Sequence, residues 1–139
     1  MITQGQCTVF KVNVLKGLEN FNAGSPYVYK LALYTDSAEL GPDTTEYTTA
    51  GEVVGTGYVA GGNTLTPVAP TSEGDTAYVT FNELVWTPAS FTTKGALIYN
   101  ATTNAAVAVL NFGSDRVATN TFTVTFPTAN ATNAIIRFE

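Results

Sequence analysis

Residues 105–112 read Ala105-Ala-Val-Ala-Val-Leu-Asn-Phe112. The run is apolar at odd and even positions alike, so it leaves no solvent face. Such a stretch belongs at the centre of a sheet covered on both sides. The segments around it have the period of two expected of its neighbours. Tyr27-Val-Tyr-Lys-Leu-Ala-Leu-Tyr34 puts Tyr29, Leu31 and Leu33 on one face. Residues 76–81 align Ala77, Val79 and Phe81, and Ala96-Leu-Ile-Tyr99 is short and apolar throughout. The cleanest alternation is Thr121-Phe-Thr-Val-Thr-Phe126, with Phe122, Val124 and Phe126 inward and threonines outward. A last strand is expected over Ala134-Ile-Ile-Arg-Phe138.

Turn signals separate these runs: Gly41-Pro-Asp43, Asn100 to Asn104, Gly113-Ser-Asp115 and Pro127-Thr-Ala-Asn130. Their spacing predicts a mainly β chain, an antiparallel β-sandwich or barrel-like domain. Cys7, Phe10, Val14, Leu18 and Phe21 recur at spacings of three and four, which predicts a short N-terminal helix over about 7–21. A long irregular region is expected over about 36–76, with a helical turn near Thr44 to Tyr47. The whole of 1–139 reads as one β-rich domain.

Composition agrees. Charged residues are 12% of the chain and hydrophobic residues 45%, and 24 threonines carry much of the polar surface. The net charge is −5 and the six Lys and Arg are scattered. A partner of nucleic acid or an acidic membrane surface is therefore not expected. No signal peptide is expected from Met1-Ile-Thr-Gln-Gly-Gln6. A single cysteine, Cys7, allows no internal disulfide, which fits folding in a reducing cytoplasm. Asn100-Ala-Thr102 and Asn130-Ala-Thr132 match a glycosylation sequon but read as two similar turns before strands.

The stretch Glu52-Val-Val-Gly-Thr-Gly-Tyr-Val-Ala-Gly-Gly-Asn-Thr-Leu65 has four glycines and invites comparison with a phosphate cradle. It has no lysine, and Pro67 and Pro70 forbid the helix whose N-terminus would hold the phosphates. Its glycines are expected to serve tight turns or a close backbone approach.

The chain has no histidine, which removes the Ser-His-Asp and Cys-His constellations and the usual zinc sites. A carboxylate pair would draw on Asp36, Glu39, Asp43, Glu46, Glu52, Glu73, Asp75, Glu83 or Asp115, which are expected to be solvated turn residues. Asp36, Glu39 and Asp43 could meet at a calcium ion but lack the EF-hand order. Trp86, Tyr99, Tyr58, Tyr47 and Tyr34 could form a sugar-stacking platform, although a β core is the usual place for such rings. No catalytic, cofactor or metal residue is assigned, no cofactor is expected, and the chain is read as not an enzyme.

The order of segments carries a resemblance. The residues are Gln6-Cys-Thr-Val-Phe-Lys11, Leu15-Lys-Gly-Leu-Glu-Asn-Phe21, Tyr29-Lys-Leu-Ala-Leu-Tyr-Thr35, Thr44-Thr-Glu-Tyr-Thr-Thr49 and Glu52 to Gly62. They continue with Trp86, Lys94-Gly-Ala-Leu-Ile-Tyr-Asn100, Ala106-Val-Ala-Val-Leu-Asn-Phe-Gly113, Phe122-Thr-Val-Thr-Phe-Pro127 and Ala134-Ile-Ile-Arg-Phe138. Over nearly its whole length the chain resembles a family of small structural proteins of tailed-bacteriophage virions. The resemblance implies a non-enzymatic part of the particle, made in the host bacterial cytoplasm. The expected role is capsid decoration or cement. The alternative is a neck, tail or tail-tip component, including a host-receptor or glycan-binding module. Implied partners are other phage structural proteins, either the major capsid protein or neck and tail proteins, with a homo-oligomer on the particle.

Overall fold

The computed structural model describes residues 1–127, 130 and 132–138. In chain order the elements are β1 (Gly5–Gln6), α1 (Thr8–Leu15), β2 (Tyr29–Tyr34), β3 (Asn63–Thr64), β4 (Pro67–Glu73) and β5 (Thr76–Phe81). They continue with β6 (Leu84–Trp86), β7 (Phe91–Asn100), β8 (Ala105–Ala118), β9 (Phe122–Val124) and β10 (Ile136–Phe138). Three antiparallel sheets result, ordered β1-β8-β7-β2-β3, β10-β5-β4 and β6-β9. With one short helix, this is the mainly β, sandwich-like arrangement that the strand pattern predicts.

The centre of the molecule is β2, β7 and β8. Residues 31–34, 95–100 and 106–110 are buried without a break, so both faces of this sheet are covered. The apolar run at 105–112 therefore lies where its composition demands, between β1 and β7. β8 is longer than that run. The turn expected at Gly113-Ser-Asp115 is instead a bulge inside β8: residues 112–115 loop out opposite Lys94, and pairing resumes at Arg116 with Thr93. A glycine in the left-handed region (Gly113, φ 88°) marks a bulge as readily as a hairpin, so the residue types misled.

α1 ends at Leu15, well short of residue 21. The Gly17 amide donates to the Val14 carbonyl and the Leu18 amide to the Asn13 carbonyl, with Gly17 at φ 75°. That is a Schellman stop, and it overrides the hydrophobic period. The period persists beyond the helix because Phe21 returns to the same core by another route. It stacks on Tyr29 at 4.4 Å and meets Phe10 edge-on at 5.8 Å. Leu18, assigned to the buried face by the spacing, is exposed.

The irregular region is also shorter than expected. β4 lies inside it and pairs with β5 as a hairpin. Six of its seven residues are exposed, so no alternation marks it. No helical turn forms near Thr44 to Tyr47. The Thr44 amide closes a turn on the Gly41 carbonyl, and Glu46 and Tyr47 then pair with Ala105 and Asn104 in extended conformation. The turn expected over 127–130 includes residues outside the described set. The two sequon asparagines do form like turns. Asn100 Oδ1 accepts from the Thr102 and Thr103 amides, and Asn130 Oδ1 from the Thr132 and Asn133 amides.

Phe10 is fully buried on α1, whereas Leu15 on the same helix is 89% exposed. Phe10→Ala should cost about 3–5 kcal/mol of unfolding free energy, and Leu15→Ala no more than about 0.5 kcal/mol. Urea unfolding of the two variants checks this.

Candidate functional site

Glu52 to Gly62 runs along the outer edge of β2. The Val53 amide donates to the Leu33 carbonyl at 3.0 Å, and further on Asn63 pairs with Leu31. Between these points the stretch leaves the strand and loops out. Its interior is fixed by the Glu52 side chain, which is only 8% exposed. Glu52 Oε1 accepts from the Tyr47 hydroxyl, and Oε2 accepts from the Tyr58 hydroxyl and from the Gly61 amide at 2.8 Å. One carboxylate thereby ties both ends of a compact loop together.

The phenols extend the node. Tyr58 donates to Glu52 and accepts from the Leu33 amide at 2.9 Å, so it stands in for the ladder partner that β2 lacks there. Tyr99 donates to the Gly61 carbonyl at 2.7 Å and stacks on Tyr47 at 4.7 Å. Tyr34 donates to the Thr48 carbonyl. Burial, reinforced by the Glu52 carboxylate, pushes all four phenols above their ordinary range. They remain protonated donors.

The glycines answer to packing. A Cβ at Gly57 would overlap the Pro88 carbonyl oxygen, and one at Gly62 would overlap the Leu31 carbonyl oxygen. Both residues also have left-handed φ angles. The backbone of this loop lies directly on neighbouring backbone, as the sequence reading expects. Held this way, the loop turns Val53 inward and presents Val54 and Val59 to solvent, 96% and 76% exposed.

Of the nine candidate carboxylates, Glu52 alone is buried; the other eight are exposed, as expected of turn residues. Asp36 pairs with Lys94 and Glu39 with the N-terminal ammonium. Asp36, Glu39 and Asp43 form no metal-binding group, and none of three or more acidic or thiol ligands occurs among the described residues. The five aromatics do not make a platform. Trp86, Tyr99, Tyr58 and Tyr34 are buried, and Tyr47 is partly buried against the core.

A second carboxylate escaped the sequence reading. Glu19 follows the Schellman turn, and its Oε1 accepts from the Tyr29 hydroxyl at 3.0 Å and from Asn100 Nδ2 at 2.9 Å. Its Oε2 is buried and makes no hydrogen bond within 3.5 Å, although the Asn13 side chain lies close enough to favour the charged form. Burial raises the Glu19 pKa above the usual 4.5, opposed by the Asn100, Tyr29 and Asn13 side chains. Its place between Leu18 and Phe21, within an apolar period, is the sequence signal for it. It lies beside a cavity of about 260 Å³ between α1 and the β10-β5-β4 sheet.

Two outcomes follow. Glu52→Gln replaces an acceptor by an amide that faces hydroxyl and N–H donors, and should cost about 3 kcal/mol; Tyr58→Phe should cost about 1–2 kcal/mol. A double-mutant cycle by urea unfolding should show coupling between them. For Glu19, the folded state binds its proton more tightly than the unfolded state does. Stability relative to Glu19→Gln should therefore be greatest below pH 4.5 and fall as pH rises through the raised folded value. Unfolding curves of both proteins from about pH 4 to pH 7 read this slope.

No protein family matches the chain, and neither a curated protein nor a solved structure matches it significantly.

Proposed function

We propose that this chain is a structural, non-catalytic subunit of a tailed-phage particle that decorates or cements the capsid. The resemblance described above spans nearly the whole sequence. The structural observation that carries the reading is the 52–62 loop, a locked segment that holds Val54 and Val59 out in water. A loop already fixed by Glu52, Tyr47, Tyr58 and Tyr99 loses little conformational entropy when it docks. Exposed apolar side chains on such a support suit contact with a neighbouring subunit. The chemistry of Glu52 agrees: three internal donors occupy its oxygens, so it serves the fold rather than a substrate.

The partner under this reading is the major capsid protein, and copies of the chain would follow the symmetry of the shell. A neck or tail position is the second reading, because the same loop would serve a ring of subunits. The glycan-binding version loses its best support, since Tyr58 is buried and Tyr47 is partly buried and stacked against Tyr99.

Particles purified from the phage encoding this chain test the proposal. Cryo-electron microscopy should place the chain on the capsid in a copy number close to that of the major capsid protein. The double variant Val54→Asp, Val59→Asp should fold normally and yet be missing from the particles. A handful of copies at one vertex would move the assignment to neck or tail. Absence of the wild-type chain from particles would sink it.

A further inference from the structure

We propose that the surface formed by α1 and β10 docks an acidic segment of a partner protein, in which carboxylates flank one large apolar side chain. The argument is independent of the particle assignment. α1 packs on β8, whereas the 52–62 loop borders β2, on the far side of β7. Two apolar features meet at α1. Between the helix and the β10-β5-β4 sheet lies a gap of about 260 Å³, walled by Phe10, Val14, Phe21, Val79, Ile136 and Phe138. A benzene molecule fits an engineered protein cavity of ~150 Å³, so one phenyl or leucyl side chain fits here. The helix beside the gap turns Val12 and Leu15 to water, and Phe138 in the wall is itself 38% exposed. Exposed apolar residues around an unfilled hollow suit the anchor of a partner.

Charge selects the partner. Lys11 and Arg137 line one hollow with Phe138, which joins that hollow to the gap. Lys16 stands at the end of α1. Three of the six cations of a chain with net charge −5 thus belong to this surface. Lys11 and Lys16 are exposed, and among the described residues neither pairs with a carboxylate. Glu19, the one carboxylate among the described lining residues of the gap, is turned to Tyr29 and Asn100. A basic segment would meet like charge here, and a neutral one would leave the lysines unanswered. A second copy pairing through the same face would set lysine against lysine. An acidic segment answers the rim, and its apolar side chain fills the gap.

Titration of the full chain at pH 7 with four end-capped peptides tests this: Asp-Glu-Phe-Glu-Asp, Ser-Gly-Phe-Gly-Ser, Lys-Lys-Phe-Lys-Lys and Asp-Glu-Ala-Glu-Asp. Amide chemical shifts read the binding. The acidic Phe peptide should bind about tenfold or more tightly than each of the others, with shifts centred on Val14, Phe21, Ala77 and Phe138. Its affinity should fall as salt rises from about 0.05 M to 0.5 M. Lys11→Glu with Lys16→Glu, both at exposed positions, should weaken it about fivefold or more and leave the neutral peptide unchanged. Ala77→Trp, at an exposed position that lines the gap, should fill it and remove the advantage of Phe over Ala. Equal affinity for the acidic and neutral Phe peptides overturns the proposal. So does an acidic preference that survives the lysine reversal, or no saturable binding of the acidic Phe peptide up to about 10 mM. Self-association of the free chain that moves the same amide signals would give the face to a second copy and overturn it too.

Discussion

The carboxylate of Glu52 is the point where the 52–62 loop, the edge of β2 and the tyrosine layer meet. A buried charge is costly, and no cation lies within ion-pair distance of this one among the described residues. Its compensation comes from two phenols and one backbone amide, each held by its own packing. Because hydrogen bonds are directional, this solution fixes where Tyr47, Tyr58 and Gly61 must lie. The same Tyr58 hydroxyl satisfies the Leu33 amide, so the loop also completes the central sheet. An apolar residue at position 52 would avoid the desolvation, but it would not specify this loop geometry.

Glu19 makes an instructive contrast. It too is drawn out of water and meets a phenol and an amide. There the match is half complete, since one oxygen is served and the other is not. The two acids differ in the donors that meet them: three at Glu52 and two at Glu19.

Much of the sheet core was legible in the residues. Ala105 to Leu110 declares a doubly covered strand because it is apolar at every position, and Thr121 to Phe126 declares a half-covered one. What was illegible depended on tertiary partners. The helical period from Cys7 to Phe21 continued through a chain that had stopped being helical, since two different backbones can aim side chains at one core. β4 offers no pattern because neither of its faces is buried. Glu52 looked like a surface acid, since the tyrosines that receive it, Tyr47 and Tyr58, are five and six residues away and meet it only in the folded loop. The glycines at 57 and 62 could be read as serving close approach, but not what they approach. The phage resemblance drew on segment order and lies on a different footing from these physical inferences.

β4 has one more consequence. It forms the outer edge of its sheet, and Pro67 and Pro70 remove two amide donors from it, while a bulge between Val68 and Thr71 breaks its register. Prolines and bulges are the usual guards against edge-to-edge strand pairing. Copies crowded side by side therefore find no continuous backbone template here on which to zip together. At this edge, contact between copies has to be built from side-chain shape, which can end at a defined number of neighbours, and not from a β-ladder that could grow without limit.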